Sequence, residues 1–124
     1  MKKACLIGLG QITQRYIKGL NESSFLTLCA VSDVKEDATA RPLYAQYPFY
    51  TDYKRMLRQM QPDYAIISTP PESHFDIAYH CLQNGVSIII EKPVTLCMAH
   101  FDTLTQLANE KGLVFRTLFH WHGG

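Results

Sequence analysis

Residues 3–33, KACLIGLGQITQRYIKGLNESSFLTLCAVSD, constrain the fold more than any other part of the chain. Residues 4–7 form a short, continuous apolar run, the pattern of a parallel strand buried on both faces. Gly8-Leu9-Gly10 follows at once, and residues 11–20 can then turn helical. A second apolar stretch, Leu26–Ser32, ends in an acid, Asp33. Strand, glycine turn, helix, strand and acid follow one another as in a βαβ unit.

Each of those parts suits a dinucleotide. Gly8 permits a tight turn, and Gly10 lets a pyrophosphate approach the backbone with no Cβ in the way. The phosphates then face unpaired N–H groups at a helix N-terminus, where the helix dipole also favours negative charge. The third glycine of G-x-G-x-x-G is replaced by Thr13, a β-branched residue at a point of close helix–strand packing. The acid nevertheless falls in register, because Asp33 lies 20 residues beyond Thr13, close to the usual offset of a carboxylate that hydrogen-bonds the adenosine ribose. An ordinary turn followed by a solvated acid is the competing reading. The coincidence of strand, turn, helix and acid in register favours the nucleotide.

The remaining sequence alternates strand and helix patterns, which predicts an α/β, doubly wound parallel sheet of about six strands, Rossmann-like, in a single domain over residues 1–124. Helices are expected over residues 35–46, 53–59, 72–84 and 98–111, with Thr51 or Asp52 capping the second of them. Strands are expected over 47–50, 64–68, 86–90 and 113–119. Four marked sequences fall at the carboxyl ends of strands, where open parallel sheets bind ligands: GLG, Asp33, the loop Thr69-Pro70-Pro71-Glu72-Ser73-His74, and Glu91-Lys92-Pro93.

Composition narrows the class. Twelve basic and eleven acidic residues leave no charge signature for nucleic acid or an anionic membrane. No run approaches the ~20 apolar residues of a membrane span. The N-terminal apolar run is too short for a signal peptide, so a cytoplasmic location is expected. Four cysteines, Cys5, Cys29, Cys81 and Cys97, lack metal-ligand spacing, and Cys5 and Cys29 read as small core hydrophobes in a reducing compartment. His120 and His122 alternate around Trp121 but have no third ligand nearby, so no metal is expected.

GLGQIT, then Asp33, then STPPESH, then NGVSIIIEKPVT together resemble the N-terminal half of the Gfo/Idh/MocA oxidoreductases. EKP after an apolar strand, with TPPxxH upstream, is the specific part of that resemblance. It implies a Rossmann domain binding NAD or NADP, with hydride transfer to or from a sugar, cyclitol or related carbonyl compound. Gly8, Leu9, Gly10, Gln11 and Ile12 take the place of the dinucleotide turn, and Asp33 that of the ribose acid. Thr69, Pro70 and His74 match the loop beside the nicotinamide-ribose end, where His74 either meets the cofactor or fixes the loop. Glu91, Lys92 and Pro93 match the signature tripeptide, whose lysine contacts the reacting oxygen; a cation there suits a developing alkoxide.

Asp33 repels a 2′-phosphate and favours NAD, while Lys35 or Arg41 nearby would soften that preference toward NADP. The family continues into a second α/β domain that supplies the substrate pocket, usually a partner acid/base residue, and the oligomer interface. That domain is not in these 124 residues. The chain is therefore expected to be either a truncated cofactor half or a naturally short protein, taking a sugar or polyol only if a second domain is present, and a homo-oligomer is possible. The alternative is a stand-alone NAD(H) sensor or interaction module without catalysis.

Overall fold

A computed structural model describes residues 2–8, 26–34, 46–69, 71–91 and 97–118. Six strands form one sheet: β1 (Lys2–Ile7), β2 (Leu26–Ser32), β3 (Phe49–Tyr50), β4 (Tyr64–Ile67), β5 (Ser87–Glu91) and β6 (Phe115–Leu118). Their order is β3-β2-β1-β4-β5-β6, and every neighbouring pair is parallel. The chain thus steps outward from β1 to β3, returns to β4 on the other side of β1, and steps outward again. That reversal is the Rossmann, doubly wound order expected from the sequence. Three helices lie among the described residues: α1 (Tyr53–Met60), α2 (His74–Gln83) and α3 (Met98–Lys111). A 3-10 turn, Pro71–Ser73, leads into α2.

Local chemistry sets the helix ends. Asp52 caps α1, its carboxylate accepting the Lys54 N–H at 3.0 Å. At the end of α2 the Val86 N–H donates to Cys81 O at 2.9 Å and Gly85 N–H to Leu82 O at 3.1 Å. α3 closes in the same way, from Leu113 to Ala108 and from Gly112 to Asn109. These paired bonds satisfy carbonyls that a helix end would otherwise leave open.

The same bonds shorten the neighbouring strands. Val86 belongs to the end of α2, so β5 starts at Ser87 rather than 86 and runs on to Glu91. Leu113 closes α3 and the Val114 N–H donates to Ser87 Oγ at 3.0 Å, so β6 starts at Phe115 rather than 113. β3 is two residues rather than four, because Pro48 has no N–H for the ladder and contributes only its carbonyl, to the Val31 N–H at 3.0 Å.

Apolar side chains cover both faces of the sheet, which is why its central strands read as continuous runs. On one face Cys5, Ile7, Ala65, Ile67, Ile88 and Ile90 pack with Met56 and Leu57 of α1, Leu82 and its neighbours on α2, and Leu104 and Ala108 of α3. The other face presents Ala4, Leu6, Leu28, Val31 and Ile66. The helices expected over 11–20 and 35–46 lie outside the described residues.

β2 breaks strict alternation. Ala4 sits opposite Leu28, but Cys5 sits opposite Ala30, so Cys29 is an extra residue in the β1–β2 ladder. Leu28 belongs to one core face, Cys29 and Ala30 both to the other, and Val31 returns to the first. Cys5 is fully buried as expected; Cys29 is only half-buried, because the bulge carries it to the margin of the core.

Just past β1, Gly8 has φ +94°. A Cβ built there would lie 2.8 Å from backbone atoms of Ser68 and Thr69. Main chain, unlike a flexible side-chain end, cannot move aside locally. Gly8 N–H donates to Ser32 O at 2.7 Å, and Ser68 N–H to Ile7 O at 2.8 Å, so this glycine knits the ends of β1, β2 and β4 together.

Two stability measurements check this account. Gly8→Ala is expected to destabilise the chain by at least ~1–3 kcal/mol in urea unfolding, the usual cost of a side chain held in a disfavoured backbone region, with the backbone clash adding to it. Leu82→Ala empties a fully buried position and is expected to cost ~2–5 kcal/mol.

Candidate functional site

All six strands point their carboxyl ends to one edge of the sheet. Between β1 and β4 the connections diverge, and the crevice left there is the usual ligand site of an open α/β sheet. A cleft of about 530 Å³ occupies it, within the ~300–1,000 Å³ typical of small-molecule sites. Gly8 enters from the end of β1, Asp33 and Val34 from β2, Thr51 and Tyr53 from the turn after β3, and Ser68, Thr69, Glu72 and Ser73 from beyond β4. A larger cleft of about 660 Å³, bordered by Lys54, Arg58, Asp63, His80 and Asn84, lies at the opposite edge, where β4 and β5 begin. Position decides between them. The second lies at the wrong end of a parallel sheet and lacks the glycine turn and the acid. No group of three or more His, Cys, Asp or Glu able to hold a metal occurs among the described residues.

Asp33 stands immediately after β2, its N–H bonded to Tyr50 O at 3.1 Å. That bond fixes the backbone from which the carboxylate meets the cleft. Next to it Val34 is 84 % exposed, an apolar side chain on the rim. Gly8 contributes shape rather than a donor, since its N–H is taken up by Ser32 O. Leu9, Gly10, Gln11 and Ile12 lie outside the described residues, as do Pro70, Lys92, Pro93, His120 and His122.

The loop after β4 is tied internally. Ser73 Oγ donates to Thr69 Oγ1 at 2.8 Å, and His74 Nε2–H donates to the Thr69 carbonyl at 2.8 Å. His74 is 1 % exposed and is not among the described residues that line the cleft. It supports Thr69 from beneath. With Nε2 as donor, a neutral ring leaves Nδ1 as an acceptor, and that buried atom has no partner among the described residues. Glu91 is the last residue of β5, opposite Leu118, and so stands at the same edge of the sheet as the cleft.

Sequence reasoning passed over Tyr53, which it placed only as a helix residue. Tyr53 lines the cleft, and burial pushes its phenol up to about 12, with Cys81, Asp76 and Asp52 adding to the effect. The signal was available: Thr51 and Tyr53 follow the carboxyl end of β3, the same placement that marked Asp33 and Thr69.

Comparison with known proteins agrees with the fold. The uncharacterized oxidoreductase YhhX of Escherichia coli (strain K12) is 29% identical over 111 residues, covering 86% of this chain and 32% of that protein. The UDP-N-acetylglucosamine 3-dehydrogenase of Acidithiobacillus ferrooxidans is 42% identical over 52 residues, 42% of this chain and 17% of the enzyme. An oxidoreductase from Bacillus cereus shares the fold with a TM-score of 0.86 at 24% identity, covering 94% of this chain and 34% of that one. The chain thus spans about a third of the length of the YhhX and Bacillus cereus proteins it matches. No helix among the described residues is long and apolar enough to cross a membrane. The model of the oxidoreductase family with an NAD-binding Rossmann fold matches residues 2–119, nearly the whole sequence, and with the strand order and the acid after β2 it establishes that this chain belongs to the Gfo/Idh/MocA oxidoreductases and carries their NAD-binding fold.

Proposed function

We propose that this chain is the cofactor-binding part of an NAD-dependent oxidoreductase that moves a hydride to or from a sugar, cyclitol or related polyol. The observation that carries this reading is the shared cleft of Gly8, Asp33 and Thr69, built from the ends of β1 and β4, which flank the switch point, and of the neighbouring β2. In it Asp33 accepts hydrogen bonds from the adenosine ribose hydroxyls, and its charge disfavours a 2′-phosphate. The turn of Gly8 to Ile12 receives the pyrophosphate, and Thr69, held by Ser73 and His74, lines the nicotinamide-ribose end together with Pro70. Lys92, between Glu91 and Pro93 just past β5, polarises the reacting oxygen. The bound cofactor supplies the hydride chemistry; the chain supplies shape, a carboxylate and a cation. Kinship with a UDP-N-acetylglucosamine dehydrogenase supports a sugar-type substrate.

Titrating the chain with NADH and with NADPH, followed by nucleotide fluorescence, tests the cofactor half. Saturable NADH binding stronger than NADPH binding is expected. Asp33→Ala is expected to weaken NADH roughly 10- to 100-fold, since hydrogen bonds to a charged group contribute ~1.5–3 kcal/mol, and to narrow the gap to NADPH. Equal affinity of a folded Asp33→Ala variant would refute the role given to the acid. The chemical half is tested on the chain joined to a second α/β domain of the kind the family carries, by following NAD reduction with a panel of sugars, sugar nucleotides and cyclitols. With whichever compound turns over, Lys92→Ala is expected to lower kcat by roughly 100- to 10,000-fold while leaving NADH affinity nearly unchanged. NADH binding with no turnover on any of them favours a binding module without catalysis.

A further inference from the structure

Two thiols meet beside the bulge in β2. Cys5 Sγ and Cys29 Sγ are 3.5 Å apart, across neighbouring strands and on the same face of the sheet. No disulfide joins them; both are free thiols. Without the extra residue in β2, Cys5 would face Cys29 across the ladder in simple register; with it, Cys5 is opposite Ala30 and Cys29 leans alongside. We propose that Cys5 and Cys29 form a reversible redox modification site, closing to an intramolecular disulfide when the chain meets a peroxide.

The two sulfurs differ in access, and that difference assigns their roles. Cys29 is half-buried and reachable, whereas Cys5 is wholly buried. Cys29 donates weakly to the Ala4 carbonyl at 3.3 Å, which leaves its sulfur to accept the Cys5 S–H. That hydrogen bond from Cys5 lowers the Cys29 thiol to about 7 against the opposing effect of burial, with Lys3 helping, while the partnership and burial push Cys5 upward. Cys29 is therefore the attacking thiolate and Cys5 the resolving thiol.

In the first step Cys29 Sγ attacks one peroxide oxygen, the O–O bond breaks, and hydroxide leaves, giving a sulfenic acid. In the second Cys5 Sγ, losing its proton, attacks Cys29 Sγ and displaces the hydroxyl group as water once protonated. The two thiols surrender two electrons and two protons in all, and one hydrogen peroxide becomes two waters. Closing the bond requires the sulfurs to approach by about 1.5 Å, from 3.5 Å to the ~2.05 Å of a disulfide. A dithiol reductant reverses it by thiol–disulfide exchange.

The link would cross-brace β1 and β2 three and four residues before Gly8 and Asp33. Nothing in this proposal depends on what the cleft binds.

The test is peptide mapping of the folded chain after stoichiometric hydrogen peroxide, with remaining thiols alkylated and digestion by trypsin under non-reducing conditions. The expected result is a linked pair of peptides 4–15 and 19–35, a chain lighter by two hydrogens, and alkylated Cys81 and Cys97. The link is expected to form several-fold faster in the folded chain than in urea, to vanish on adding a dithiol, and to persist in Cys97→Ser, which removes the exposed thiol. Cys29→Ser is expected to abolish it. Cys29 over-oxidised or unreacted beside a free Cys5, Cys5 joined to Cys81, or equal rates in folded and unfolded chains would each overturn the proposal.

Discussion

Gly8 makes the meeting of β1, β2 and β4 possible, because only a residue without a side chain can pass there. Its backbone lies so close to Ser68 and Thr69 that a Cβ would reach 2.8 Å from their main-chain atoms, and its φ of +94° is one that L side chains resist. The result is a narrow seam. Gly8 bonds to the end of β2, Ser68 bonds to the end of β1, and Asp33 bonds to the end of β3. Three backbone bonds, each at a strand terminus, hold the floor of the cleft in one piece. Small movements at the end of β1 would therefore be felt at both Asp33 and Thr69.

Around that floor the polar contacts divide into those that shape the cleft and those that face it. His74 and Ser73 grip Thr69 from behind, one through its carbonyl and one through its hydroxyl. Asp33, Glu72 and the neutral Tyr53 ring stand in the wall itself. A buried imidazole bonded to a carbonyl is a rigid support, and it holds a loop that two prolines already restrict. Such internal ties fix this part of the cleft wall without help from a ligand, and a wall already in place lowers the ordering cost of binding.

The bulge at Cys29 shows where a local irregularity is imposed by neighbours. Nothing in LTLCAVS marks one residue as supernumerary. The insertion exists because β2 must keep Leu28 and Val31 on one face while pairing with β1, which places Ala4 and Leu6 on that same face. Two thiols that look like unrelated core residues at 24 positions' separation end within 3.5 Å of each other.

Much of the fold was legible because its central strands are buried on both faces and its helices carry explicit stop signals. Continuous apolar runs at 4–7 and 64–67, the glycines at 85 and 112, and the capping Asp52 each express a local requirement that no distant residue has to supply. The order of elements and the placement of Gly8, Asp33 and Thr69 at strand ends followed from the sequence for the same reason. Strand limits did not. Val86 and Leu113 were held out of the sheet by hydrogen bonds to the helix-end carbonyls of Cys81 and Ala108, and Val114 by Ser87 Oγ, a partner 27 residues away that no local pattern reveals. The membership of the cleft wall, the support of Thr69 by His74, and the contact of Cys5 with Cys29 likewise belong to the tertiary structure. The sequence by itself determined which segments form strands and helices and in what order, since burial pattern and capping are local. Only packing decided which of their side chains meet, because that depends on register between strands, and register is set by a whole face of the sheet at once.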